Sequence, residues 1–235
     1  MNANTLLRLT LILACMASPC LRAPAAADEG VALAILYDNS GSMKQSVRDA
    51  NGRQTPKYVI ARRALESVIH RLQNFATNTP RKIEAGLFIF NTRSAVELVK
   101  FGPFDPAAAS QWTKNLPLPS TGTPLGNALR VAGRTVLNSG LAHKHVLVIT
   151  DGMNTVGPDP AATLPALQKQ AAQNNTALSV HFVAFDVDAK VFDPLKKLGA
   201  TVVGAADEKQ LNSQLEFILE RKILLEEEEP PTKKH

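Results

Sequence analysis

Asp38, Ser40 and Ser42 stand at alternate positions in the run Asp38-Asn39-Ser40-Gly41-Ser42, directly after the apolar stretch from Val31 to Tyr37. One carboxylate and two hydroxyls at the end of a buried strand make a donor set for a hard cation. Mg²⁺ takes oxygen ligands in near-octahedral geometry and keeps several waters, so one or two carboxylates with hydroxyls suit it better than the carboxylate-rich cage that suits Ca²⁺. Two other loops carry oxygens of the same kind. In Ser120-Thr121-Gly122-Thr123-Pro124-Leu125, Thr123 stands just before a helix start; in Thr150-Asp151-Gly152, Asp151 follows an apolar run. A lone Asp-x-Ser-x-Ser is ordinarily a turn and helix cap. Joined to two oxygen-bearing loops at other element boundaries, it becomes a candidate metal centre.

Such a centre needs a scaffold that brings three distant loops together. From Val31 onward, apolar runs alternate regularly with amphipathic stretches, the pattern of a mostly parallel sheet with helices on both faces. The first strand is Val31 to Tyr37. After a polar loop, Lys57 to Phe75 places Ala61, Leu65, Val68, Ile69 and Leu72 at helical spacing. Strands are expected at Ile83 to Phe90, His145 to Thr150, Leu178 to Phe185 and Thr201 to Val203, and Ala95 to Lys100 reads as an antiparallel edge strand reached by a short hairpin. Helices are expected at Thr123 to Leu137, opened by Pro124, at Ala161 to Gln173, near Val191 to Leu198, and at Asp207 to Leu225. Open sheets of this kind gather ligands outside the carboxyl ends of their strands, where strand order reverses. All three oxygen-bearing loops fall at that edge.

The chain has 235 residues, 45% hydrophobic and 20% charged, enough for one large α/β domain. Residues 1–27 read as a secretory signal peptide: Arg8 precedes the apolar segment Leu9 to Ala17, Pro19 breaks it, and Ala25-Ala26-Ala27 offers a small-residue cleavage site. The apolar run is about half the roughly 20 residues that a membrane span requires. Both cysteines, Cys15 and Cys20, lie in this segment, so the exported chain has no thiol and no disulfide. Lipidation of Cys15 is a second reading, against which the bulky Leu13 counts. The expected location is secreted or periplasmic. Residues 226–235 have too little apolar content to fold and read as a disordered charged tail.

Together, Asp38-x-Ser40-x-Ser42, Gly122-Thr123-Pro124-Leu125 and Thr150-Asp151-Gly152 resemble the metal-ion-dependent adhesion site (MIDAS) of von Willebrand factor type A (vWA) domains, and the resemblance spans residues 30–225. It implies a Rossmann-like, doubly wound, mostly parallel six-stranded α/β sheet with one antiparallel edge strand and helices on both faces. It also implies a bound Mg²⁺ or Mn²⁺ and cation-dependent protein binding. Carried onto these positions, Ser40, Ser42 and Thr123 offer hydroxyl oxygens, while Asp38 and Asp151 act directly or through water. The Thr-Pro-Leu match selects Thr123 over its neighbour Thr121. A site with few direct carboxylates leaves its cation under-neutralised, so an Asp or Glu of a partner protein supplies both charge and oxygen.

The segment from Lys44 to Lys57 holds Lys44, Arg48, Arg53 and Lys57 against the single acid Asp49. These four basic residues are expected to form a rim that attracts the acidic partner; an ordinary solvated loop is the alternative. Asp186 and Asp188 read as helix caps or solvated loop, and Asp105 and Asp159, each before a proline, as turn residues. Several function classes are excluded. No cysteine remains after residue 27 for thiol catalysis or a zinc–thiolate site, and no Gly-x-x-x-x-Gly-Lys-Ser/Thr loop cradles phosphates. The formal charge of +5 includes Arg8 and Arg22, leaving +3 beyond residue 27, and aromatics are 5% of residues, which gives no basic, stacking surface for nucleic acid. The leading reading is an exported, non-enzymatic protein-binding module. A metal-assisted phosphohydrolase is the second, although position 40 holds serine where haloacid-type phosphatases want a second carboxylate. An envelope scaffold with a structural metal is the third.

Overall fold

A computed structural model describes residues 28–120 and 122–225. The expected signal peptide, the charged tail and Thr121 lie outside the described residues. Strand β1 (Asp28–Tyr37) is followed by a 3-10 turn at Gly41–Lys44 and a small hairpin of β2 (Ser46–Arg48) and β3 (Gln54–Pro56). Helix α1 (Lys57–Asn78), strands β4 (Lys82–Phe90) and β5 (Ala95–Pro103), the single-turn helix α2 (Pro106–Ala109) and helix α3 (Leu125–Leu137) come next. Then follow β6 (Leu141–Thr150), α4 (Pro160–Gln173), β7 (Ser179–Phe185), a 3-10 turn at Ala189–Phe192, α5 (Asp193–Lys197), β8 (Thr201–Ala205) and α6 (Glu208–Ile218).

The six long strands form one sheet in the order β5-β4-β1-β6-β7-β8. All neighbours run parallel except β4 and β5, so the expected antiparallel edge strand is present. From β1 the chain winds outward through α1 to β4, and later returns on the other side through α3 to β6. Strand order therefore reverses between β1 and β6, and the crevice at their carboxyl ends is the place where such sheets bind ligands.

Strand β1 is central and reads as a continuous apolar run because both of its faces are covered. Val31, Leu33, Ile35 and Tyr37 join a core with α1 and α6, whereas Ala32, Ala34 and Leu36 join a second core with α3 and α4. Burying each of the larger aliphatic side chains stabilises by about 1.5–3 kcal/mol, so the loop after Tyr37 leaves a firmly anchored strand. Small residues set the approach on the α3 side. A Cβ at Gly126 would sit 2.0 Å from the Pro158 carbonyl oxygen, so only glycine lets the first turn of α3 press against the segment that follows β6.

Several boundaries differ from expectation for identifiable reasons. Strand β6 begins at Leu141 rather than His145, because Lys144 is buried with its ammonium donating to the carbonyls of Ser139 (2.8 Å) and Leu141 (2.6 Å), which masks the apolar signal. The final helix is not uniform to Leu225: α6 ends at Ile218 and passes into a π-helical segment, Leu219–Leu224. The polar loop before α1 contains the β2–β3 hairpin, whose three-residue strands are too short to show alternation. Asp105 and Asp159 are more than turn residues; each caps a helix, accepting from the backbone N–H of Ala107 (2.9 Å) and Ala161 (2.6 Å). Among the described residues, no helix is long and apolar enough to cross a membrane.

Candidate metal centre

The loop after β1 is built around the Asp38 carboxylate, which is fully buried. Its Oδ1 accepts from the Ser40 backbone N–H at 2.7 Å, closing a tight turn, and its Oδ2 accepts from the Thr150 hydroxyl at 2.6 Å. The Asp38 N–H in turn donates to the carbonyl of Ile149 at 3.0 Å, so the ends of β1 and β6 are locked together. Burial pushes the Asp38 carboxyl up to about 6, and the nearby charge of Asp151 adds to the rise. The hydrogen bonds from Thr150 and Ser40 pull the other way.

Hydroxyls connect this carboxylate to the third loop. Ser40 Oγ lies 2.9 Å from Ser42 Oγ, and Ser42 donates to Asp151 Oδ1 at 2.8 Å, across 109 residues of sequence. With the Ser42 proton committed to Asp151, Ser40 is the donor in the serine pair. Thr123, also buried, is tied to the segment after β6 from both sides: its N–H donates to Thr155 Oγ1 (2.8 Å) and its carbonyl accepts from the Thr155 N–H (2.9 Å). A Cβ at Gly152 would lie 3.8 Å from Thr123 Oγ1 and 3.9 Å from Ser42 Oγ, so both hydroxyls border the same small space. The backbone of Gly152 is not in the left-handed region, and glycine there keeps that space open rather than enabling a turn. The Ser120 N–H donates to the Asn39 carbonyl at 3.0 Å, which joins the first and second loops.

All five residues expected to bind metal, Asp38, Ser40, Ser42, Thr123 and Asp151, thus converge at the carboxyl ends of β1 and β6. Their donors are two carboxylates and three hydroxyls, all oxygen, which suits a hard divalent cation. Among the described residues no group of three or more His, Cys, Asp or Glu is arranged to hold a metal. Asp151 Oδ2, buried on the far side of the carboxylate from Ser42, faces the Lys57 ammonium at 2.7 Å.

The basic rim needs one correction. Lys44, Arg48 and Arg53 are exposed as expected, but Lys57 is 2% exposed and does not belong to the rim. It is the first residue of α1, its N–H donating to the Gln45 carbonyl at 2.8 Å, and its side chain runs inward. Lys57 Nζ lies 2.7 Å from Asp151 Oδ2, 3.3 Å from Asp186 Oδ2, and donates to Gln45 Oε1 at 3.2 Å. The contact with Asp151 is a buried ion pair between side chains 2% and 0% exposed. Asp188 caps the 3-10 turn as expected, accepting from the Lys190 N–H at 3.0 Å, whereas Asp186 serves Lys57 instead of capping a helix. Thr150, Thr155 and Asn154, whose side chain accepts from the Gly126 N–H at 3.2 Å, are the supporting residues that sequence reasoning did not assign.

Comparison with known proteins places this chain in a family. The sequence matches the family model of the von Willebrand factor type A domain over residues 32–216. Comparison with curated proteins finds no match. Among solved structures, the PilB minor pilin from Streptococcus sanguinis is similar with a TM-score of 0.60 at 15% identity, over 84% of this chain and 62% of the pilin. Proximal thread matrix protein 1 from the mussel byssus, in a structure with a zinc-occupied MIDAS motif, gives a TM-score of 0.60 at 14% identity, over 82% of this chain and 48% of that protein. The SpRpn10 VWA domain gives a TM-score of 0.55 at 15% identity, over 79% of this chain and 93% of that domain. At such identities the likeness is one of fold, and the chain spans less than two thirds of the pilin and about half of the byssus protein. The family match extends over most of the sequence: the chain belongs to the von Willebrand factor type A domain family.

Proposed function

We propose that this protein is a non-enzymatic binding module, exported to the cell envelope or exterior, that holds Mg²⁺ or Mn²⁺ and captures an acidic side chain of a partner protein through it. Ser40, Ser42 and Thr123 would hold the cation through their hydroxyls. Asp38, both of whose oxygens already accept hydrogen bonds, would act through water, and Asp151 would act directly or through water. The bound cation supplies a Lewis-acidic position open to an outside carboxylate. The single observation that carries this reading is the contact chain from Ser40 through Ser42 to Asp151, which joins loops 109 residues apart at the topological switch of the sheet. A zinc-occupied MIDAS in the byssus protein supports the cation, and the pilin and byssus-matrix neighbours support both a protein partner and an extracellular or envelope location. The exposed, apolar Leu118 and Met153, close in sequence to Ser120 and Asp151, fit a partner whose acidic residue is flanked by apolar ones.

The phosphohydrolase reading is disfavoured. An attacking aspartate must present a free oxygen to substrate, yet Asp38 is fully buried with both oxygens occupied. The test is affinity capture with the full exported chain in Mg²⁺ and again in chelator, alongside Asp151→Asn. A partner retained in Mg²⁺, released by chelator and lost in the variant supports the proposal; one retained equally in all three refutes it.

A further inference from the structure

We infer that Lys57 is a tethered internal competitor for the metal centre: its ammonium occupies Asp151 when no divalent cation is bound, and Asp186 and Gln45 hold it when a cation takes Asp151. The inference rests on the reading of the centre given above and deepens it by naming what sets its cation affinity.

A lysine buried to 2% exposure requires partners, and Lys57 has three. They are not equivalent. Asp151 is the nearest, 2.7 Å away, with a side chain wholly excluded from solvent; Asp186 is 3.3 Å away and its side chain is 40% exposed. The ammonium also donates to Gln45 Oε1 at 3.2 Å. Moving Asp151 from Lys57 to a metal breaks the nearest ion pair but leaves the ammonium two acceptors within reach, Asp186 and Gln45.

Asp186 is held where this role needs it. Its φ of 53° lies in the left-handed region, which few residues other than glycine enter and which aspartate tolerates, and its N–H donates to the Ala205 carbonyl at 2.7 Å. That conformation fixes the Asp186 carboxylate at the ends of β7 and β8, facing the start of α1. A plain helix cap at this position would not require it.

Charge decides the consequence. Asp38 and Asp151 offer an incoming cation two negative charges, and within 3 Å of a ligand oxygen stands the Lys57 ammonium, offset only in part by Asp186, which is farther away and 40% exposed to screening water. Repulsion between the ammonium and the cation, acting where water is scarce, weakens cation binding and leaves the loaded centre more positive than the two carboxylates alone would make it. An external carboxylate then gains more by binding. Cation retention and partner capture are thereby coupled, so that the metal is held firmly only when the partner's acid is present.

The experiment is Mn²⁺ titration, read by the electron paramagnetic resonance of the free ion, of the wild type, Lys57→Met, Lys57→Gln, Asp186→Asn and Lys57→Met/Asp186→Asn, with folding checked by circular dichroism. Both Lys57 variants should bind Mn²⁺ roughly tenfold or more tightly than the wild type. Asp186→Asn should weaken binding in the wild-type background and have little effect when Lys57 is already methionine, because a general charge effect would persist in both backgrounds whereas the loss of a lysine acceptor would not. Folded Lys57 variants that bind Mn²⁺ no more tightly than the wild type would show that Lys57 only anchors α1, and would overturn the inference alone. If neither Lys57 variant folds, Asp186→Asn decides with salt as the second measurement: weaker binding that persists in about 1 M KCl, where a through-space charge effect is screened, supports the inference, and unchanged binding or a weakening that salt abolishes overturns it. Saturable Mn²⁺ binding absent from the wild type and every variant would overturn both this inference and the metal-centre reading.

Discussion

Replacing Asp38 with asparagine should stabilise the fold in chelator at neutral pH while abolishing cation binding. The Asp38 carboxyl sits at about 6 in the fold against an ordinary value of 3.8, chiefly because burial disfavours its charge. The difference corresponds to about 3 kcal/mol of destabilisation when the group is ionised. A group whose folded value is raised binds a proton more readily in the folded state. The deficit is therefore complete above pH 6, shrinks as pH falls through the window between about 6 and 3.8, and is absent below it. Asparagine removes the charge at nearly constant volume and can remain hydrogen-bonded. Its Oδ1 takes the Ser40 N–H, and its amide can donate to Thr150 Oγ1, whose own proton then turns to the Gly152 carbonyl 3.2 Å away. Allowing about 1 kcal/mol for weaker, neutral hydrogen bonds leaves a net gain of about 2 kcal/mol at pH 7.5. Urea unfolding in chelator at pH 7.5 and pH 4 measures it. The advantage should be present at pH 7.5 and lost or reversed at pH 4. An Asp38→Asn protein less stable than the wild type at both pH values, by the same margin, would refute the claim that the centre holds its carboxylate at a cost to the fold.

Ser42→Ala removes the hydroxyl that links Ser40 to Asp151 and should lower Mn²⁺ affinity at least roughly tenfold while changing stability by about 1 kcal/mol or less, checked by titration and urea melts side by side. Glu208 is buried on α6, where it accepts from the Ala50 N–H at 2.7 Å and lies 3.1 Å from Arg63 Nε; Glu208→Ala should destabilise by about 2–3 kcal/mol and speed hydrogen exchange in the β2–β3 hairpin. Reversing the exposed charges of Lys44, Arg48 and Arg53 to glutamate should slow partner association several-fold at low salt and leave dissociation nearly unchanged; surface plasmon resonance showing identical association rates would remove the rim from the account.

The parts of the site that were legible in the sequence are those whose signals are local. Asp38, Ser40 and Ser42 follow a strand so thoroughly buried that it reads as one apolar run, and Asp151 follows another. Thr123 is marked by Pro124, which directly precedes helix α3. What stayed hidden depends on side-chain direction and on partners distant in sequence. Lys57 looks like one more charge in a basic loop, and only the start of α1 at that residue turns it inward toward Asp151. Thr150 is an ordinary strand residue by type, and its hydroxyl acquires a role because β6 lies in register beside β1, with Tyr37 opposite Ile149. Asp186 resembles any loop acid until its left-handed backbone and the Lys57 ammonium are seen together.

The central claim, that hydroxyls and carboxylates from three loops hold one divalent cation, is tested most directly by crystals grown in Mn²⁺ with diffraction recorded at the manganese absorption edge. A single strong anomalous peak is expected at the carboxyl ends of β1 and β6, in direct contact with the Ser40 and Ser42 hydroxyl oxygens and within one water of Asp38. A fully ordered loop with no peak there, or a peak bound only elsewhere on the surface, would contradict it.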